Sequence, residues 1–457
     1  MPRASITRHL RSAASRFAGA NDGNLAVIFA FALVPILTFV GAAIDYSRAN
    51  HARSSMQAAL DSTALMLSKD LSSGIITQPD ITTKAQTYFA ALYTNKDAQS
   101  VSVTATYTAN SSMGSTIQLN GSGSVTTDFM KVAGFPQLGF NTSSTSAWGN
   151  VRMRVAMALD NTGSMAQDGK MPAMQAAAKS LIDQLSPLAK NNGDIYISII
   201  PFAKDVNFSK DAAGNSNVNQ DWIDWRLWDA ANGSCSGGGY STQSSCVKNN
   251  KPWTPASHST WTGCFTDRDQ DYDTTNTTPV ISNPSTQFPA EQYSYCKSGS
   301  SQYLQPIMPL SYDWSALKTY VGTMQPTGTT NQGLGLAWAW MTLGQNAPFN
   351  APAKDSNYTY KDAIILLSDG LNTQNRYSNN ASAIDARQKI LCKNAKDAGV
   401  TVYTVQVNTG KPADPTSAVL QYCASAPENF FLVTAASQTV DAFKSIGTSL
   451  SKLRVAR

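Results

Sequence analysis

The stretch RVAMALDNTGSM, Arg154–Met165, decides how this chain is read. It begins as an apolar strand ending in Leu159, and directly after it Asp160, Thr162 and Ser164 alternate. Gly163 permits a tight turn, so one carboxylate and two hydroxyls can face a single point. Oxygen donors of that kind suit Mg²⁺ or another hard divalent ion such as Mn²⁺ or Ca²⁺. Two further segments carry related chemistry: Gly328-Thr329-Thr330-Asn331 just before a helix that opens at Gly333, and Ser368-Asp369-Gly370 directly after an apolar strand, Ala363 to Leu367. Taken singly, Asp160 and Thr162 read equally well as helix caps and Ser368 to Gly370 as a turn. Three such segments in order on one α/β pattern favour a shared site.

Outward from that loop, strands alternate with helices, which predicts a largely parallel sheet covered on both faces. Strands are expected at Arg154 to Leu159, Ile195 to Phe202, Ala363 to Leu367, Val400 to Val407 and Phe430 to Val433. Helices are expected at Met171 to Leu185, Asp313 to Met324, Gly333 to Leu343, Ala383 to Ala398 and Thr439 to Leu453. In such sheets ligands gather at the carboxyl ends of the strands, where Asp160 and Asp369 would lie. Residues 208–310 break the rhythm with Gly, Ser, Asn, four cysteines and five tryptophans, and read as an inserted, disulfide-stapled subdomain. The tryptophans read as its packing core.

The three segments together resemble the von Willebrand factor type A domain with its metal-ion-dependent adhesion site (MIDAS). That family places a D-x-S-x-S loop after its first strand, a Thr on a second loop and an Asp on a third. Asp160, Ser164, Thr330 and Asp369 match, and Thr162 stands where Ser is usual, which keeps the hydroxyl. The resemblance implies an α/β, Rossmann-like domain over 151–457 with the insertion at 208–310. It also implies that Asp160, Thr162, Ser164, Thr330 and Asp369 hold a divalent metal whose last position a partner's carboxylate completes.

The net charge of +5 contains Arg3, Arg8, Arg11 and Arg16 before the first acidic residue, leaving +1 for the remaining chain, which argues against a nucleic-acid-binding body. Charged residues are only 14%, against roughly 25% in soluble domains. With only His9, His51 and His258, an HExxH protease or a His-rich zinc centre is excluded. Asn24 to Ile44 is a run of 21 residues without a charge, reaching roughly 30 Å as a helix, enough to cross a bilayer. A cleaved signal peptide is the competing reading. Against it, Met56, Leu60, Ala64, Leu67 and Leu71 continue an apolar face at helical spacing, so anchor and stalk read as one helix. The arginines upstream put the N-terminus in the cytoplasm and the rest outside. Six cysteines suit that side of a membrane. Spacing favours Cys235 with Cys246, Cys264 with Cys296 and Cys392 with Cys423, among 15 connectivities.

The expected organisation is therefore a basic tail over 1–23, a transmembrane helix over 24–44, a helical stalk over 45–71 and a small α+β module over 72–150 ahead of the type A domain. Gly23, the apolar run, Asp45-Tyr46-Ser47-Arg48 and Met56 to Asp61 resemble the start of the TadE/TadG-like Flp (tight adherence) pilus-assembly family. A C-terminal type A domain is similar to TadG-like members in particular. Pilin-like members carry Glu five residues after the processing Gly; here Ile28 stands there, and the helix is expected to stay as an anchor. The resulting expectation is a non-enzymatic, single-pass inner-membrane protein with a periplasmic, metal-dependent protein-binding domain serving pilus assembly. Its partners would be other pilus-assembly components and, through the stalk, further copies. The alternatives are a metal-dependent hydrolase using the same cage and a self-assembling surface adhesin. Asp267, Asp269, Asp271 and Asp273 alternate as in an EF-hand, but Tyr272 and Thr278 replace the required Gly and Glu. A solvated or Arg268-paired loop is the reading there. His258 has no nucleophile or orienting partner nearby in sequence.

Overall fold

The computed structural model describes residues 24–72, 75–109, 115–148, 151–211, 214–356 and 358–455. The basic tail over 1–23, with Gly23, lies outside them. The chain divides after Trp148 into two compact units.

The smaller unit is built on one helix, α1 (Asn24–Ser72), which contains Pro35 and runs without a break from the apolar segment into the module. Then follow α2 (Ile81–Leu92), with Asp80 capping the preceding turn through Thr77, and the antiparallel sheet of β1 (Ala98–Thr108), β2 (Ser115–Thr126) and β3 (Gln137–Trp148). On β2 the buried and exposed positions alternate, as a one-sided sheet requires. Ile117 and Leu119 point at Met56, Leu60, Ala64 and Leu67 of α1, and Ile81 and Phe89 of α2 close the cluster. Gly121 lets the helix approach, because a Cβ there would stand 2.8 Å from the Met56 sulfur. The residues read as a stalk over 45–71 are thus half of this module's core.

The larger unit begins with β4 (Val151–Asp160), α3 (Lys170–Leu185) and β5 (Ile195–Phe202). β6 (Val206–Asn207) precedes the insertion, which supplies β7 (Ile223–Asp224), α4 (Arg226–Ala231), β8 (Gly233–Cys235), α5 (Gln243–Lys248), β9 (Trp253–Pro255), β10 (Cys264–Phe265) and β11 (Phe288–Glu291). The chain returns through β12 (Met308–Ser311), α6 (Trp314–Val321), α7 (Gln332–Leu343) and β13 (Thr359–Ser368). It closes with α8 (Ala381–Asp397), β14 (Thr401–Val407), α9 (Ala418–Cys423), β15 (Phe430–Val433) and α10 (Gln438–Val455).

The sheet runs β15-β14-β13-β4-β5 with every one of those neighbours parallel. β4 is covered on both sides: Val155, Met157 and Leu159 face α3, α6 and α10, and Ala156 and Ala158 face the layer of α7, α8 and α9. Such two-sided burial is why β4 reads as an apolar run rather than an alternation. The insertion is not a separate body. β6, β10, β11 and β7 extend the same sheet beyond β5, β12 pairs antiparallel with β5, and Trp222, Trp228, Phe265 and Phe288 share a core with Trp338 of α7. All six cysteines pair as spacing favoured: Cys235–Cys246, Cys264–Cys296 and Cys392–Cys423.

Candidate metal centre

Parallel register sets the site. Leu159 of β4 lies opposite Leu367 of β13, so Asp160 and Ser368 leave their strands side by side at the carboxyl edge. Asp160 is fully buried, and its two oxygens are both engaged: the Thr162 N–H donates to Oδ1 at 2.7 Å and the Ser368 hydroxyl to Oδ2 at 2.6 Å. Thr162 Oγ1 lies 3.0 Å from Ser164 Oγ, which donates to Asp369 Oδ1 at 2.8 Å. Asp160, Thr162, Ser164 and Asp369 therefore form one hydrogen-bonded cluster, buried beneath an exposed Ser164.

Thr330 stands on the neighbouring loop. The Gly163 N–H donates to the Gly328 carbonyl at 3.0 Å, and Thr327 N–H bonds the Asn161 carbonyl, which binds the second loop to the first. Thr330 itself is buried, with its N–H donating to Thr373 Oγ1 at 2.8 Å and its carbonyl accepting from Thr373 and Gln374. The left-handed residue in this turn is Gly328, at φ 69°, and not Gly163, which opens a 3₁₀ turn. Asn331 caps α7 through the Leu334 N–H, and its amide donates to Asp267 Oδ2 at 2.9 Å.

Three residues absent from the expected set, Lys170, Gln332 and Ser368, bond to these carboxylates or to one another around them. The Lys170 ammonium, buried at the start of α3, lies 2.8 Å from Asp369 Oδ2. Gln332 donates to Ser368 Oγ at 3.1 Å and to the Gly370 carbonyl at 2.8 Å, holding the serine against Asp160. Ser368 lay in plain view beside Asp369; nothing in the spacing of Lys170 marked it. Burial, and then the Asp369 charge, push the Asp160 carboxyl up to about 7 against the hydrogen bonds from Ser368 and Thr162. With Asp160 ionised, two buried carboxylates facing one ammonium leave an excess of negative charge among hydroxyl oxygens, and that donor set fits a hard divalent cation. Among the described residues no three His, Cys, Asp or Glu side chains gather as a metal site, so hydroxyls would supply the other ligands.

The weaker signals resolve differently. Asp269 pairs with Arg226 and Arg376, and Asp271 and Asp273 with Arg387. Arg268, the partner expected from sequence, instead donates to the Thr277 carbonyl and lies over the Phe288 ring at 5.0 Å. His258 gains an orienting partner that sequence did not offer: Nε2 lies 2.7 Å from Asp229 Oδ1 and the ring stacks on Trp225 at 3.8 Å.

The parallel sheet, its helical layers and the loops at its carboxyl edge, with the D-x-T-x-S sequence of Asp160 to Ser164, give the larger unit an α/β fold that resembles the von Willebrand factor type A domain, and the smaller unit contains a long apolar helix. Residues 23–66 match the family model described as putative Flp pilus-assembly TadE/G-like. No match is found among curated protein sequences. Among solved structures, the chain is similar to the vWF domain of the type V pili tip protein Mfa5 of Porphyromonas gingivalis, with TM-score 0.36 and 10% identity over 68% of this chain and 98% of that one. It is similar also to the PilB minor pilin of Streptococcus sanguinis, with TM-score 0.35 and 10% identity over 77% and 78%. The mussel byssus protein PTMP1, in a structure with a zinc-occupied MIDAS motif, gives TM-score 0.30 and 14% identity over 66% and 46%. Likenesses this distant carry no argument about function.

Proposed function

We propose that this is a membrane-anchored, metal-dependent protein-binding component of Flp pilus assembly. Residues 24–44 would cross the inner membrane with the N-terminus in the cytoplasm, and the type A domain would work in the periplasm, where its three disulfides suit an oxidising compartment. Asp160, Thr162, Ser164, Thr330 and Asp369 would hold Mg²⁺, or Mn²⁺ or Ca²⁺. The bound ion would supply a positive centre for a partner's carboxylate. The observation that carries this reading is the closed cluster of Asp160, Thr162, Ser164 and Asp369, formed from two strand ends far apart in sequence. Ser368 and Gln332 hold Asp160 in place, and exposed Ser164 leaves the cluster one open side. The TadE/G-like match supports the pilus setting. A role in binding rather than catalysis fits the TadE/G-like pilus-assembly match.

The test is capture of cross-linked envelope proteins by the full chain in Mg²⁺, with and without chelator. A defined pilus-assembly partner should be captured in Mg²⁺, lost with chelator, and lost for Asp160→Ala. Equal capture under all three conditions would refute metal dependence.

A further inference from the structure

At the base of the smaller unit, the β2–β3 connection presents an apolar turn. Phe129, Val132 and Phe135 are 47%, 88% and 58% exposed, a cluster that has no partner in a water-facing loop. The turn is not loose. Asp45, the first charged residue after the apolar run, is buried and takes three backbone N–H groups from it: Asp128 at 3.0 Å, Phe129 at 2.9 Å and Met130 at 2.8 Å. Arg48 adds an ion pair to Asp128 at 2.7 Å. The Phe129 ring lies so close to α1 that a Cβ on Gly41 would collide with it. Gly41 is one helical turn, about 6 Å, inside the apolar run from Asp45.

We infer that this turn is a second membrane contact, in which Phe129, Val132 and Phe135 enter the outer bilayer interface beside the transmembrane helix. The inference rests on the reading of residues 24–44 as a membrane span. Given that span, the depth follows from the contacts, because Phe129 is fixed at the level of Gly41 and the exposed Phe39, Val40 and Ile44 lie within about one helical turn of that level along α1. Lys131, exposed on the turn, matches anionic headgroups, and insertion of apolar side chains by about 5–10 Å is typical of interfacial anchors. A helix alone is free to tilt and rotate; a wedge held by Asp45 would fix the module's orientation on the membrane.

The full chain in vesicles of phosphatidylethanolamine and phosphatidylglycerol tests this. All six native cysteines are paired, so Val132→Cys, Phe39→Cys and Thr83→Cys each add a single thiol for a nitroxide label, and all three positions are exposed. Collision with oxygen against a water-soluble nickel chelate reads depth. The inference predicts that the label at 132 is shielded from nickel like the one at 39, while that at 83 is not. A label at 132 as open to nickel as that at 83, with 39 shielded, would overturn the inference and leave the span standing. Nickel access at 39 as well would remove the span and the inference together.

Discussion

Lys170 is the residue that sets the electrostatics of the centre. Its buried ammonium pairs with Asp369 at 2.8 Å and offsets half of the charge of the two carboxylates. A divalent ion held by Asp160 and Asp369 would share the cage with that cation, and like unit charges about 4 Å apart repel by about 4 kcal/mol at an effective dielectric of about 20. Lys170→Met should therefore tighten Mg²⁺ binding by roughly tenfold, measured by calorimetric titration. Weaker binding would mean that the lysine supports the site. Asp205 poses a separate problem. Burial, and then Glu291, push its carboxyl well above the usual range, against Lys204 and the Tyr295 hydroxyl that donates to it. As pH rises through that window the unfolded chain gives up its proton first, so the folded state progressively loses stability. Asp205→Asn keeps an acceptor for Tyr295 and removes the charge. Its melting temperature should rise relative to wild type between about pH 5 and about pH 8; a constant difference across that range would count against a raised carboxyl.

At the scale of elements, legibility depended on length. The apolar strands β4 and β13 and the stripe of Met56, Leu60, Ala64 and Leu67 are long enough for their periodicity to be read, and Asp160 and Asp369 followed from where those strands stop. That the stripe packs on β2 and β3 was not legible, since a helical face does not name the surface that covers it. Nor was the role of the insertion: β7 and β10 are two residues each, too short for any pattern, yet they extend the sheet. The arginine partners of Asp269 and Asp273, Arg376 and Arg387, lie more than a hundred residues away, where sequence proximity gives no guide. The insertion nevertheless reaches the candidate metal centre through Asp267, which accepts from the amide of Asn331, next in sequence to Thr330. Because Leu60 is wholly buried between α1 and β2, Leu60→Ala should destabilise the smaller unit by about 2–5 kcal/mol. Chemical denaturation followed by far-UV circular dichroism reads this; an unchanged midpoint would mean that α1 is a free stalk after all.

For the molecule as a whole, the chain comprises an apolar helix that is long enough to cross a membrane, continuous with a small module, and a larger α/β unit with three disulfides. Everything proposed for the larger unit depends on whether its loops hold an ion. Titration of the detergent-solubilised full chain with Mn²⁺, read by the paramagnetic signal of the free ion, measures this most directly. The account predicts one saturable site per chain that Mg²⁺ displaces, and its loss in Asp369→Ala with the circular dichroism spectrum retained. No saturable binding to the wild type, or equal binding by Asp369→Ala, would contradict it.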